Sequence, residues 1–121
     1  MTHKRKETGR VGEEAAAKYL AGLGWTIIRR NYSCPIGEID IIAQEGGTLV
    51  FAEVRTRTGI KFGMPQESIN QTKQHKLRQL AWYYLKATGQ TDAGCRFDVI
   101  ALILDSKSGE IKEIEHIPNA F

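Results

Sequence analysis

Apolar residues along this chain recur with two periods, and the switches between them mark the elements. Val11, Ala15, Ala16, Tyr19, Leu20 and Leu23 fall at helical spacing and predict a helix from about Thr8 to Ala21, stopped by Gly22 and Gly24. Residues 1–7 are basic and lack that period, so they read as a flexible N-terminal tail. Trp25 to Tyr32 is β-branched and aromatic enough for a first strand, and Cys34-Pro35-Ile36-Gly37 reads as a turn or bulge. Residues 36–45 and 48–57 then alternate as strands around Gly46-Gly47, a dipeptide suited to a two-residue hairpin loop. A loop with two glycines and a proline follows at 59–65. Ile69, Leu77, Leu80, Ala81, Tyr84 and Leu85 predict a second helix from Ser68 or Asn70 to Ala87, with Gly89 as its stop. Residues 96–105 form a strand with apolar side chains on both faces, which implies a central position covered on two sides. A turn at 106–109 and a strand at 110–117 complete the chain. The order αβββαββ predicts one α/β domain over residues 8–121, a three-layer α/β/α sandwich with a central mixed sheet.

Composition narrows the class. At 121 residues, with 41% hydrophobic and 26% charged residues, the chain is that of one soluble globular domain. No apolar run approaches the roughly 20 residues needed to span a bilayer, and the charged N-terminus is no signal peptide. Cys34 and Cys95 lack any metal or disulfide spacing, so reduced thiols in the cytoplasm are expected. The net charge of +3 is unevenly placed: residues 53–86 hold seven Lys or Arg against two acids. Such a segment suits a polyanion, although a solvated basic face would have the same composition.

The hairpin carries the candidate chemistry. A two-residue loop sets Glu45 opposite Thr48, and by the same register Asp40 opposite Glu53 and Glu38 opposite Arg55. Facing side chains lie roughly 5 Å apart at Cβ, so an acid pair there is repulsive. A hard divalent cation, Mg²⁺ or Mn²⁺, turns that repulsion into a site. Strict alternation puts Glu38 and Asp40 on one face with Ile36 and Ile42, and Glu53, Arg55 and Arg57 on one face with Leu49 and Phe51. The functional reading makes Asp40 and Glu53 metal ligands and Arg55 a donor to phosphate. The competing reading is an ion-pair lattice in which Glu38 pairs with Arg55.

Gly37-Glu38-Ile39-Asp40-Ile41-Ile42-Ala43 followed by Phe51-Ala52-Glu53-Val54-Arg55 resembles the core motif of the PD-(D/E)XK nuclease superfamily. More narrowly, the chain resembles the YraN-like family of uncharacterised bacterial proteins. That likeness is carried by Gly9-Arg10-Val11-Gly12-Glu13, Tyr19-Leu20, the hairpin, Arg96-Phe97-Asp98-Val99-Ile100-Ala101 and His116-Ile117-Pro118-Asn119-Ala120-Phe121. A more distant similarity is to archaeal Holliday junction resolvases, which share the helix-first order. The resemblance implies a restriction endonuclease-like fold and a metal-dependent phosphodiesterase site. It supplies Asp40 and Glu53 as ligands and adds Glu13 as a third acid. A resolvase-like role would also need two active sites, hence a symmetric homodimer.

One position departs from the motif. The superfamily motif ends in Lys, and here Arg55 stands in its place. Arginine stays charged and cannot act as a base. The expected function is therefore a metal-dependent endonuclease hydrolysing phosphodiester bonds in DNA, with branched or structured DNA among its candidate substrates. The alternative is a nucleic-acid-binding module with a degenerate site, and a third is an adaptor whose acids only pair with arginines. Arg57, Lys61, Lys73 and Lys76 are the candidate nucleic-acid contacts. Trp82 and Tyr83 could stack on bases, but aromatics on a helix are more often core, and core is the expectation for both.

Overall fold

The computed structural model describes residues 2–58 and 69–121, with side chains from Gly9 onward. Helix α1 spans Thr2–Gly22, so the backbone of residues 2–7, read above as a tail, continues the helix. Beyond its last turn Gly24 takes φ 91°, the left-handed conformation that glycine adopts without steric penalty. Helix α2 spans Gln71–Ala87. Its N-cap is Asn70, whose side-chain oxygen accepts from the Lys73 amide at 2.9 Å, and this local bond fixes where the helix begins.

The strands are β1 (Thr26–Cys34), β2 (Gly37–Glu45), β3 (Thr48–Thr58), β4 (Gly94–Leu104) and β5 (Ile111–Ile117). They form a single five-stranded sheet in the order β1-β2-β3-β4-β5. Only β3 and β4 pair in parallel. A parallel pair needs a long crossover, and α2 lies on it. The β2–β3 hairpin opens at Glu45↔Thr48, with Gly46 at φ 57° in the loop, as the sequence predicts.

Two cores sandwich this sheet. On one face Ile39, Ile42, Phe51, Phe97 and Val99 pack with Leu77, Leu80, Ala81, Tyr84 and Leu85 of α2. On the other, Ile41, Ala43, Ala52, Ile100 and Leu102 pack with Ala16, Ala17 and Leu20 of α1. β4 thus buries both faces, and the molecule is a three-layer α/β/α sandwich with a mixed sheet, of the restriction endonuclease-like kind.

The strict alternation expected along β2 does not hold. Ile39 and Ile42 join one core and Ile41 the other, so the phase breaks at Asp40. The cause lies on β1. The register on either side sets Asn31 against Asp40, and Asn31 takes φ 52°, a left-handed conformation that interrupts a strand. Asp40 therefore does not simply share a face with Ile36 and Ile42.

Gly12 sets how closely α1 approaches β3. It is buried, and a Cβ built there would collide with Oγ1 of Thr56. The missing side chain brings the middle of α1, with Glu13, onto the end of the hairpin. Gly12→Ala should destabilise the fold by about 1–3 kcal/mol, as overpacking does. Urea midpoints test this: adding Thr56→Ala should recover most of the loss, and an equal loss in both backgrounds would show that the contact is not the cause.

Candidate metal and phosphate site

The β2–β3 ladder runs as far as Ile41↔Ala52, one pair short of Asp40 and Glu53. There the Val54 amide donates to Oδ2 of Asp40 at 2.8 Å, so the side chain of one strand caps the backbone of the other. Glu53 is only 7% exposed, and its Oε2 lies 3.4 Å from Nη2 of Arg55 and 3.5 Å from Nζ of Lys73. One carboxylate oxygen thus receives two cations, one from β3 and one from the first turn of α2.

Burial, and then the charge of Glu53, pushes the Asp40 carboxyl up to about 7, with a smaller opposing pull from the Val54 amide. A side-chain hydrogen bond to Glu53 acts in the same upward direction. Asp40 therefore retains a proton over part of the population near neutrality. Glu13 is also pushed up, first by burial and then by Glu38, with Glu53 adding a smaller push. A hydrogen bond from the Asn31 side chain and the charge of Arg30 oppose this.

The structure thus brings Asp40, Glu53, Arg55 and Lys73 together and puts Glu13 within electrostatic reach. Among the described residues no three His, Cys, Asp or Glu side chains are grouped to hold an ion, so the acid site is a pair with Glu13 at its edge. Arg57 follows on β3, half-buried, in register with Ile103. Lys76 lines a groove on α2 with Asn70, Thr72, Lys73, His75 and Gln79. Lys61 lies outside the described residues. Nε of Arg55 is buried with no hydrogen-bond partner among the described residues. A buried donor left so costs about 1–3 kcal/mol.

Comparison with known proteins gives the lineage. The model of the uncharacterised protein family UPF0102 matches residues 12–102. The chain belongs to that family. It is 51% identical over 121 residues to a UPF0102 protein of Pelotomaculum thermopropionicum, with all of both chains covered. It is 49% identical to one of Moorella thermoacetica, again with all of both chains covered. A third, from Desulforamulus reducens, is 50% identical over 122 residues and 99% of each chain.

This UPF0102 chain buries another acid, near the start of β4, where the sequence predicts a structural cap or ion pair. Asp98 is 0% exposed. Its Oδ1 accepts from Nε of Arg96 at 3.0 Å and from the Asn119 amide at 2.9 Å. Its Oδ2 lies 2.8 Å from Nε2 of His116, whose Nδ1 is 3.1 Å from the Tyr19 hydroxyl. A neutral imidazole protonated on Nε2 satisfies both contacts. Arg96 also reaches Glu45 and lies 5.1 Å over the Trp25 ring. These bonds tie α1, β4, β5 and the chain end together, which is a structural office. Arg96 and Asp98, two apart on a strand, share a face, and that spacing was the available signal. Asn31 was missed, and its tolerance of positive φ was the only hint.

Asp40 makes stability depend on pH with a definite sign. Its folded value exceeds the ordinary 3.8, so between 3.8 and about 7 the native state holds a proton that the unfolded chain has lost. Stability contributed by this group is present at the low end of that window and is lost as pH rises through 7. Asp40→Asn should therefore stabilise the protein at pH 8 and flatten its pH profile above pH 5, read as denaturation midpoints. A variant less stable than the native chain at pH 8 would contradict this.

Proposed function

We propose that this UPF0102 chain is a metal-dependent endonuclease hydrolysing phosphodiester bonds in DNA, with Asp40 and Glu53 holding Mg²⁺ or Mn²⁺ and Glu13 within reach as a further acid. The observation that carries the reading is the pair of carboxyl groups, Glu53 buried and Asp40 half-buried, flanked by Arg55 and Lys73. Two oxygen-donor side chains that repel each other suit a hard dication, which typically takes one or two carboxylates plus water and phosphate. When bound, the cation polarises the phosphodiester and lowers the pKa of an attacking water.

The chain's own residues supply the rest. Arg55, whose side chain is partly exposed, donates to a phosphate oxygen and stabilises charge as it develops. It cannot take a proton from water. Lys73 is paired as a cation with Glu53 at 3.5 Å, so activation of the water falls to the bound metal unless Lys73 or Lys76 gives up its proton. Arg57 and Lys76 continue positive charge away from the acids and hold the flanking backbone. Branched or structured DNA as substrate and a symmetric homodimer as the assembly are the finer form of this proposal. Both cysteines are free thiols, in keeping with the cytoplasm. Among the described residues no helix is long and apolar enough to cross a membrane.

A second reading rests on Arg55. With arginine where the motif has lysine, the site would bind nucleic acid without turnover. Cleavage of a labelled four-way junction, flap and duplex, with Mg²⁺ or Mn²⁺ and an EDTA control, separates the two. The nuclease reading expects Asp40→Asn and Glu53→Gln to lower cleavage by about 10²-fold or more. It expects Arg55→Lys to retain or raise it. Mn²⁺ should also raise the melting temperature of the native chain at pH 8 and not that of Asp40→Asn. Cleavage that persists in both acid variants would sink the metal assignment. Absence of cleavage with DNA binding retained would leave the binding module.

A further inference from the structure

Trp82 is 49% exposed, contrary to the expectation that it belongs to the core. Tyr83 packs partly against the core cluster, while its neighbour faces out. Its surroundings, more than its exposure, suggest what this indole could meet. Trp82 lines a shallow groove with Ile36, Gln79, Tyr83 and Lys86. Gln79 also lines the adjoining groove with Lys73, Lys76, His75, Asn70 and Thr72. The two grooves therefore meet at Gln79 and run along α2 from the Lys73 end, 3.5 Å from Glu53, to Lys86.

The charge along this path has one sign. Helix α2 carries Lys73, Lys76, Arg78 and Lys86 and no Asp or Glu. Nζ of Lys86 lies over the Trp82 ring, 5.6 Å from its centroid, so one face of the indole carries a cation. That pairing suits a polymer alternating anions with π faces. Duplex DNA offers phosphates but keeps its base faces stacked inside. A single strand offers both, and base–aromatic stacking with lysines on the backbone is how unpaired strands are held. From Lys73 to Trp82 the helix rises about 14 Å while the path winds half-way around it, a span of at least roughly four nucleotides at the stacked spacing.

We infer that the α2 groove from Lys73 to Trp82 is a track for single-stranded DNA, with Trp82 stacking on an unpaired base at least roughly four nucleotides from the Asp40–Glu53 pair. The inference rests on the nucleic-acid reading of that pair and narrows its substrate to DNA with an unpaired segment. It does not require the pair to be catalytically competent.

Fluorescence titration in EDTA tests the track without cleavage. In Trp25→Phe the emission comes from Trp82 alone, and (dT)12 should quench it while a 12-base-pair duplex should not. Trp82→Ala should weaken (dT)12 binding by about 5- to 100-fold and leave duplex affinity within about twofold. Trp82→Phe, which keeps a ring, should recover most of the loss. If Trp25→Phe fails to fold, the difference in emission between native chain and Trp82→Phe reads the same signal. Unchanged (dT)12 affinity in Trp82→Ala, or an equal loss for duplex, would overturn the inference, including the case in which a protein partner covers this face. The nuclease proposal stands or falls separately. Metal-dependent cutting with an unaffected Trp82→Ala defeats the track alone, and quenching without cutting defeats the nuclease alone.

Discussion

Burying Asp40 beside Glu53 disfavours the fold wherever both ionise, because desolvation and like charge act in the same direction. The rest of the site is arranged around that conflict. The Val54 amide holds Asp40 in place, while Arg55 and Lys73 lean on Glu53. Asp98 shows how the same fold treats an acid with only a structural task. It is more deeply buried than Glu53, yet Arg96, His116 and the Asn119 amide all meet it. Asp40 has one amide and another acid. A fold able to satisfy Asp98 so fully leaves Asp40 with a single amide beside another acid, and that contrast is what points to a cation.

The sheet explains why the conflict sits where it does. β3 pairs with β4 in parallel along its whole length but with β2 only to Ala52. Past that residue β3 continues with one neighbour, and Glu53, Arg55 and Arg57 occupy the stretch that β2 has left. Both helices reach this edge: α1 because Gly12 lets it close on Thr56, and α2 because its Asn70 cap sets Lys73 at its first turn. The site is the junction of three separate devices: a strand divergence, a close helix contact and a helix start.

Much of this was legible in the sequence because it depends on local signals. Gly46-Gly47 fixed the hairpin register, and Asn70 and Gly89 bracketed the second helix. The two-faced apolar run of β4 implied layers on both sides. What was hidden depends on backbone irregularity and on partners far apart in the chain. The left-handed Asn31 broke the alternation at Asp40, which no period-2 pattern can reveal. The Asp98–His116–Tyr19 chain joins residues up to 97 positions apart. Trp82 was read as core because helical spacing tells which residues share a face, not whether that face is covered.

At the proposed site the proton held by Asp40 gives way to a divalent cation. Calorimetric titration with Mn²⁺ at pH 6, in two buffers of different ionisation enthalpy, measures this directly. Below the Asp40 value of about 7, binding should release close to one proton per ion, and Asp40→Asn should abolish the release. Absence of binding, or binding that releases no proton, would contradict the account.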